Sequence, residues 1–479
     1  MPTKGIKSSK IPSAIGKTTD NKNREQFQQK SSQLVTDDDN EITPTIHMNG
    51  AIKKHGKSQR TQWNVQATEY AKKTKNHIRH VVQELKLEPN PDKPMIPLSI
   101  GDPTTFGNLQ ASDETINAVK KAMENSKANG YGHCAGFEEA RAAVAKYCEH
   151  QGKVTAEDVI LCSGCSSSLD LCITALAEKG QNILMPRPGF CLYKTLAEGI
   201  SVEVRLYDLL PEHQWEADIN QLESLIDDKT AAIIVNNPSN PCGSVFSKKN
   251  LQAIIKVAER NFVPIIADEI YEHFVFPGSE HIAVSTLSQN VPVLSCGGLT
   301  KRFLVPGWRL GWIVIHDRHD ILKDATRGLK NLTGRILGPN TLIQTALPDI
   351  LEKTTQKFFD DTISVIYKNA FLAFEMLNKV PGLKPIMPAG AMYMMIGIEI
   401  DKFPEFPDDL EFVQRLVGEQ SVFCLPGACF DYPNYMRIVL TVPGEMIKEA
   451  ADRIAEFCEK HYESDSNIIE NNSLELAKC

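Results

Sequence analysis

The chain has 479 residues, 42% of them hydrophobic and 23% charged, with a formal net charge of -8. That length allows a large core and roughly two or three domain-sized units, in the composition range of globular enzymes. The acidic balance argues against a nucleic-acid-binding body, and no run approaches the ~18–20 apolar residues that a membrane span requires.

Residues 1–61 are rich in Ser, Thr, Lys, Asn and Gln and poor in large apolar side chains. Such a segment cannot bury enough surface to offset its ordering entropy, so a disordered extension is expected. Its start carries Lys4, Lys7, Lys10 and Lys17 without an acid, which faintly suits a mitochondrial transit peptide. Arginine is absent there and no apolar helical face forms, so a cytoplasmic location is expected, with the mitochondrion as the alternative. At the other end, 463–479 reads as a polar, frayed tail.

Between these ends, short apolar runs alternate with helical patterns. Val159–Cys162 precedes a helix over Ser166–Glu178, and Asn182–Met185 precedes Pro186-Arg-Pro-Gly. Ala231–Val235 leads into Asn236-Asn-Pro-Ser-Asn-Pro-Cys-Gly243, and a helix over Lys248–Arg260 leads to Val263–Ala267 and Asp268-Glu-Ile-Tyr271. Val291–Ser295 and Leu310–Ile315 complete the set. Buried runs alternating with helices predict an α/β fold, a mainly parallel sheet covered on both faces. After a helix-rich stretch come Gly390–Ile396, Val422–Pro426, Tyr435–Leu440 and a closing helix over Pro443–His461, which read as a smaller α+β unit. The expected division is a large domain over 102–365 and a small one built from 62–101 and 366–462.

Twelve cysteines are scattered along the chain, and the closest pair is Cys162-Ser-Gly-Cys165. No second CxxC or histidine pair lies at finger spacing, so no metal site is expected there and the thiols read as small buried residues.

Ligands in open α/β sheets bind beyond the carboxyl ends of the strands, and the notable polar residues sit at such ends. Lys301 follows Val291–Ser295 and a double glycine. A lysine reaching into a cleft from such a turn is partly desolvated, and a desolvated amine becomes nucleophilic. Asp268 can hold a pyridine nitrogen protonated, or serve as a helix cap or salt-bridge partner. Asn240 and Tyr271 can donate to a phenolate oxygen, or be a turn residue and a core residue. Ser163, Gly164 and Cys165 open a helix and offer backbone N–H groups to a phosphate, with Arg309 able to pair with it through two bonds. Arg437 lies on an apolar strand, where it is costly unless an internal acid or a ligand carboxylate pairs with it.

The ordered set Asn236–Gly243, Ala267-Asp-Glu-Ile-Tyr271, Lys301 and Gly307-Trp-Arg-Leu-Gly-Trp312 resembles the fold-type I pyridoxal phosphate aminotransferases over roughly residues 62–462. The likeness is to their tyrosine-transaminating animal branch, through Pro186-Arg-Pro-Gly-Phe190, Ser295-Cys-Gly-Gly-Leu299, Phe403-Pro-Glu-Phe-Pro407 and Glu419-Gln-Ser-Val422. The resemblance implies pyridoxal 5′-phosphate as cofactor, an aromatic amino acid such as tyrosine as donor, 2-oxoglutarate as acceptor and a place in tyrosine catabolism. It implies a homodimer with no membrane or nucleic-acid partner. By residue, it implies that Lys301 holds the cofactor and moves the Cα proton, and that Asp268 pairs with the ring nitrogen. Asn240 and Tyr271 would bind the ring oxygen and Phe190 would stack on the ring. Ser163, Gly164, Cys165 and Arg309 would bind the phosphate, and Tyr131 would reach the neighbouring subunit's phosphate. Arg437 would clamp the substrate carboxylate, with Asn240 assisting and Gly101 facing it. One position departs from the pattern: many relatives carry a phosphate-binding serine where this chain has Gly298, so that hydrogen bond is missing or supplied otherwise, with Thr300 as a candidate. The alternatives are a broader alanine- or kynurenine-type aminotransferase, a β-lyase on the same fold, or a scaffold without the chemistry.

Overall fold

A sheet covered on both faces needs strands that are apolar at every residue, and the central strands here meet that need. The computed structural model describes Trp63 and residues 65–464, so the extension at 1–61 and nearly all of the tail at 463–479 lie outside the described residues. In chain order the strands are β1 (Ile96–Pro97), β2 (Val159–Cys162), β3 (Asn182–Arg187), β4 (Glu203–Leu210), β5 (Glu216–Ala217), β6 (Thr230–Asn236), β7 (Ile265–Asp268), β8 (Val293–Gly298), β9 (Gly311–His316), β10 (Leu383–Pro385), β11 (Tyr393–Ile398), β12 (Val422–Phe423), β13 (Leu425–Pro426) and β14 (Tyr435–Val439).

Eight of them form one sheet in the order β2-β9-β8-β7-β6-β3-β4-β5. The run β8-β7-β6-β3-β4 is parallel, while β9 is antiparallel to both its neighbours and β5 is an antiparallel edge. This is the mainly parallel α/β sheet that the apolar runs predict. Alternate residues point to opposite faces. On one face Ile160, Ile183, Ile234, Ile266 and Leu294 pack with the helices Cys165–Leu176 and Leu192–Gly199. On the other, Leu184, Ile233, Val235, Ile265 and Val293 pack with the helix Lys248–Asn261. Each such side chain contributes roughly 1.5–3 kcal/mol by burial, so the sheet is a rigid platform for whatever its ends carry.

Among the elements that differ from the sequence reading, three stand out. β4 has no predicted counterpart, because its residues are only partly buried and interleave charged with apolar side chains. The strand expected over Val422–Pro426 breaks at Cys424: β12 pairs in parallel with β1, and β13 pairs with β14 in a four-stranded sheet ordered β10-β11-β14-β13. β8 runs on through Gly297 and Gly298 instead of turning there. A Cβ on Gly297 would lie 2.6 Å from Trp312 Nε1, and one on Gly298 would lie 2.9 Å from Gly311 Cα. The double glycine therefore serves close packing against β9, and the turn that carries Lys301 begins after it.

Candidate active site

The register of the parallel strands sets Asn236, Asp268 and Cys296 side by side toward the carboxyl ends of three central strands. Asp268 ends β7 and is buried, at 3% exposure. Its Oδ2 accepts from the Tyr193 hydroxyl at 2.6 Å, and its Oδ1 accepts from the Cys165 thiol at 3.7 Å and the Ile270 N–H at 3.3 Å. Burial pushes its carboxyl upward, opposed by the Tyr193, Ile270 and Cys165 bonds and by the Lys301 charge. A buried carboxylate so arranged is oriented toward a cationic partner.

Lys301 reaches the same space, where its Nζ donates to the Gly101 carbonyl at 2.6 Å and lies 5.8 Å from the Tyr271 ring centre. The Tyr271 hydroxyl meets that of Tyr393 at 2.8 Å. Burial first, then Tyr393, hold the Tyr271 phenol well above its usual range, so it stays protonated and able to donate.

Arg437 on β14 faces them from the smaller sheet. Its Nη1 donates to Asn240 Oδ1 at 3.0 Å and its Nη2 to the Ser99 carbonyl at 2.8 Å, and its guanidinium lies 4.3 Å over the Tyr393 ring. The side chain is buried, its Nε has no partner, and no carboxylate pairs with it among the described residues. Of the two partners weighed from sequence, the internal acid is therefore absent there, and the guanidinium is left with N–H groups for an incoming anion.

The phosphate-binding end forms where β2 turns into the helix Cys165–Leu176. Gly164 caps it at φ +78°, and a Cβ there would stand 2.4 Å from the Arg309 guanidinium. Glycine thus lets Arg309 lie against the helix start, where it donates to the Ser163 carbonyl at 3.1 Å and the Pro306 carbonyl at 2.9 Å. The Gly164 N–H is spent on the Cys162 carbonyl at 2.8 Å. The first-turn amides of Cys165 and Ser166 stay open, as helix-start amides do. The Cys162 and Cys165 thiols are free and buried, and burial pushes both upward, Cys162 to about 12. Both remain thiols, unsuited to redox exchange.

Gly101, Cys165, Phe190, Asn240, Asp268, Tyr271, Lys301, Arg309 and Arg437 all line one cleft of about 310 Å³. Thr300 lines it too, whereas Ser163 and Gly164 do not. Tyr131 lies elsewhere, 90% exposed beside a separate hollow that Ile336 and Leu337 also line. Sequence reasoning missed Ser166, Tyr193, Tyr393, Ile78 and Leu425. Ser166 was findable, because it belongs to the first helical turn; the two tyrosines sit in apolar runs and read as core.

The donor set suits a phosphorylated aromatic ring. Helix-start amides, an arginine, a buried carboxylate and an amine line one cleft, and the Asn240 amide Nδ2 has no protein acceptor among the described residues. The sequence of residues 93–454 matches the family model described as aminotransferase class I and II. The chain is 56% identical to tyrosine aminotransferase of Homo sapiens over 408 residues, covering 85% of this chain and 90% of that protein. It is 54% identical to tyrosine aminotransferase of Mus musculus over 424 residues, covering 88% and 93%. The crystal structure of tyrosine aminotransferase from Leishmania infantum superposes with a TM-score of 0.81 at 31% identity, covering 84% of this chain and 100% of that one.

Proposed function

The chain belongs to the aminotransferase class I and II family and is an aminotransferase, and on that premise we propose that it moves the amino group of L-tyrosine to 2-oxoglutarate with pyridoxal 5′-phosphate as cofactor. The observation that carries this reading is the buried, acid-free guanidinium of Arg437 facing Lys301 and Asp268 across one cleft. When bound, the cofactor supplies an electron sink for the bond broken at the substrate's Cα. The residues supply the rest.

Arg437 takes the substrate α-carboxylate with the N–H groups that Asn240 and Ser99 leave free, which fixes the Cα–H bond relative to Lys301. Lys301 would hold the cofactor at rest and, once free, its amine would take up and pass on the substrate's Cα proton. Asp268, oriented by Tyr193, holds a proton on the ring nitrogen. Tyr271 and the Asn240 amide donate to the ring oxygen, and Phe190 covers the ring face. Arg309 and the amides of Cys165 and Ser166 hold the phosphate. Ile78 and Leu425 add apolar wall, which suits an aromatic donor.

The wider reading is a homodimer in which a second copy covers Tyr131 and its exposed neighbours Ile336 and Leu337. Lys301 would lie in a domain over 102–365, and Arg437 in one built from 62–101 and 366–462. Tyrosine catabolism in the cytoplasm is the setting that this activity suits, and no described helix is long and apolar enough to cross a membrane.

The test is a half-reaction. Tyrosine added alone to the cofactor-loaded protein should abolish the visible absorbance band, and 2-oxoglutarate should restore it. A band that ignores tyrosine but responds to alanine or kynurenine would replace the substrate and keep the enzyme class.

A further inference from the structure

Behind the turn that carries Tyr271, three side chains with metal-binding atoms converge. His150 Nε2 lies 3.4 Å from Glu272 Oε2, and His273 Nε2 lies 3.3 Å from Glu272 Oε1. Atoms of all three stand within 4.8 Å of one another, outside the transamination cleft. We propose that His150, Glu272 and His273 bind a divalent transition-metal ion of the zinc class.

Two ligands on a tetrahedral ion with bonds of about 2.0–2.1 Å stand about 3.3–3.4 Å apart, and each imidazole lies at that distance from one oxygen of the Glu272 carboxylate, His150 from Oε2 and His273 from Oε1. A charge-assisted N–H···O bond is shorter, about 2.7–2.9 Å. The surrounding contacts orient the donors as such an ion requires. His150 Nδ1 lies 3.2 Å from the Tyr147 carbonyl. A carbonyl only accepts, so Nδ1 holds a hydrogen there and Nε2 is the ring atom turned toward the Glu272 carboxylate.

The Glu272 carboxylate is itself fixed, because it is buried and its Oε2 accepts from Gln151 Nε2 at 2.9 Å. The imidazoles keep 39% and 31% of their side-chain surface exposed, which gives an ion an entry path and leaves space for water as a further ligand. Two imidazoles and one carboxylate are a donor set that zinc accepts. His150 follows the helix Glu138–Tyr147, whereas Glu272 and His273 follow Asp268 and Tyr271 in sequence. The ion would staple the Tyr271 turn to that helix.

The test uses the full-length, cofactor-loaded protein, stripped of metal by a chelator and titrated with zinc chloride by calorimetry. His273→Ala and His150→Ala are measured beside it; both truncate partly exposed side chains. The expected result is one zinc per chain for the wild type and binding weaker by about 10-fold or more in each variant. Cobalt(II) added in place of zinc should give the visible band of a tetrahedral site in the wild type alone. Zinc should also raise the Tm of the wild type and not of the variants. A wild type that takes up no zinc, or variants that bind it equally well, would overturn the proposal and leave two imidazolium–carboxylate contacts in its place.

Discussion

Tyr193→Phe isolates one hydrogen bond to the anion at the centre of the cleft. Tyr193 is fully buried, its hydroxyl is 2.6 Å from Asp268 Oδ2, and its ring meets that of Phe190 edge-on at 5.8 Å. Phenylalanine keeps the ring, the edge contact and nearly all of the volume, so packing is preserved and only the bond is removed. A hydrogen bond to a charged group contributes about 1.5–3 kcal/mol net. In the cofactor-free protein, burial already pushes the Asp268 carboxyl upward against the Tyr193 bond, so removing that bond moves it further the same way and lessens the loss there. With cofactor bound it must be ionised opposite the ring nitrogen, and the loss then falls on binding. The Kd for pyridoxal 5′-phosphate should therefore rise about 10- to 150-fold, while the Tm of the cofactor-free protein changes little. The assay is a spectroscopic titration of the cofactor-free variant with cofactor, paired with thermal unfolding of the same preparation. An unchanged Kd would refute the reasoning. So would a cofactor-free protein that loses the full 1.5–3 kcal/mol, since that bond would then serve folding rather than the ligand.

Three further outcomes follow from the same contacts. Arg437→Lys should raise the KM for tyrosine and for 2-oxoglutarate together, each by about 10-fold or more, because an ammonium cannot reproduce the guanidinium fork; steady-state kinetics with unchanged KM values would remove the carboxylate role. Gly298→Ser should lower the Tm of the cofactor-free protein, because its Cβ would meet the Gly311 Cα and the Leu310 carbonyl at 2.9 Å, an overpacking that costs roughly 1–3 kcal/mol. An unchanged Tm with tighter cofactor binding would show instead that a serine fits and reaches the phosphate. For Glu419, burial alone would raise the carboxyl, but bonds from Lys460, His461 and Arg415 outweigh it and hold it down to about 2. A depressed carboxylate stabilises the fold above its unfolded value near 4.5 and loses that contribution as pH falls toward 2. Glu419→Gln should then destabilise by on the order of 1–3 kcal/mol at pH 7 and by clearly less at pH 3, read by urea unfolding; an equal loss at both pH values would mean the carboxylate charge plays no part.

What was legible in the sequence follows from how each residue announces its setting. β2, β3, β6 and β7 are buried almost throughout, so each stands out as an apolar run between polar segments. Asp268, Lys301 and Asn240 were readable because they are polar residues just past such runs, and Arg437 because it is a charge inside one. β4 was hidden because a strand buried on only part of its length lacks a continuous run. The two tyrosines were hidden for a different reason. Tyr193 meets Asp268 across 75 residues and Tyr393 meets Tyr271 across 122, and a tyrosine in an apolar stretch shows its ring to the pattern and conceals its hydroxyl. The ring belongs to the core and the oxygen to the site, so only the fold reveals the second use. Gly298 shows the same limit from the opposite side. As a sequence position it signals a phosphate without its serine hydroxyl; in the sheet, the backbone of Leu310 and Gly311 leaves no space for a Cβ. Its glycine is set by the approach of β9, and β9 is also what carries the chain back from Arg309 past the helix start at Cys165, with Gly311 standing opposite Cys162. Sheet packing and the phosphate end are therefore one constraint, and a change at either glycine should be felt at both.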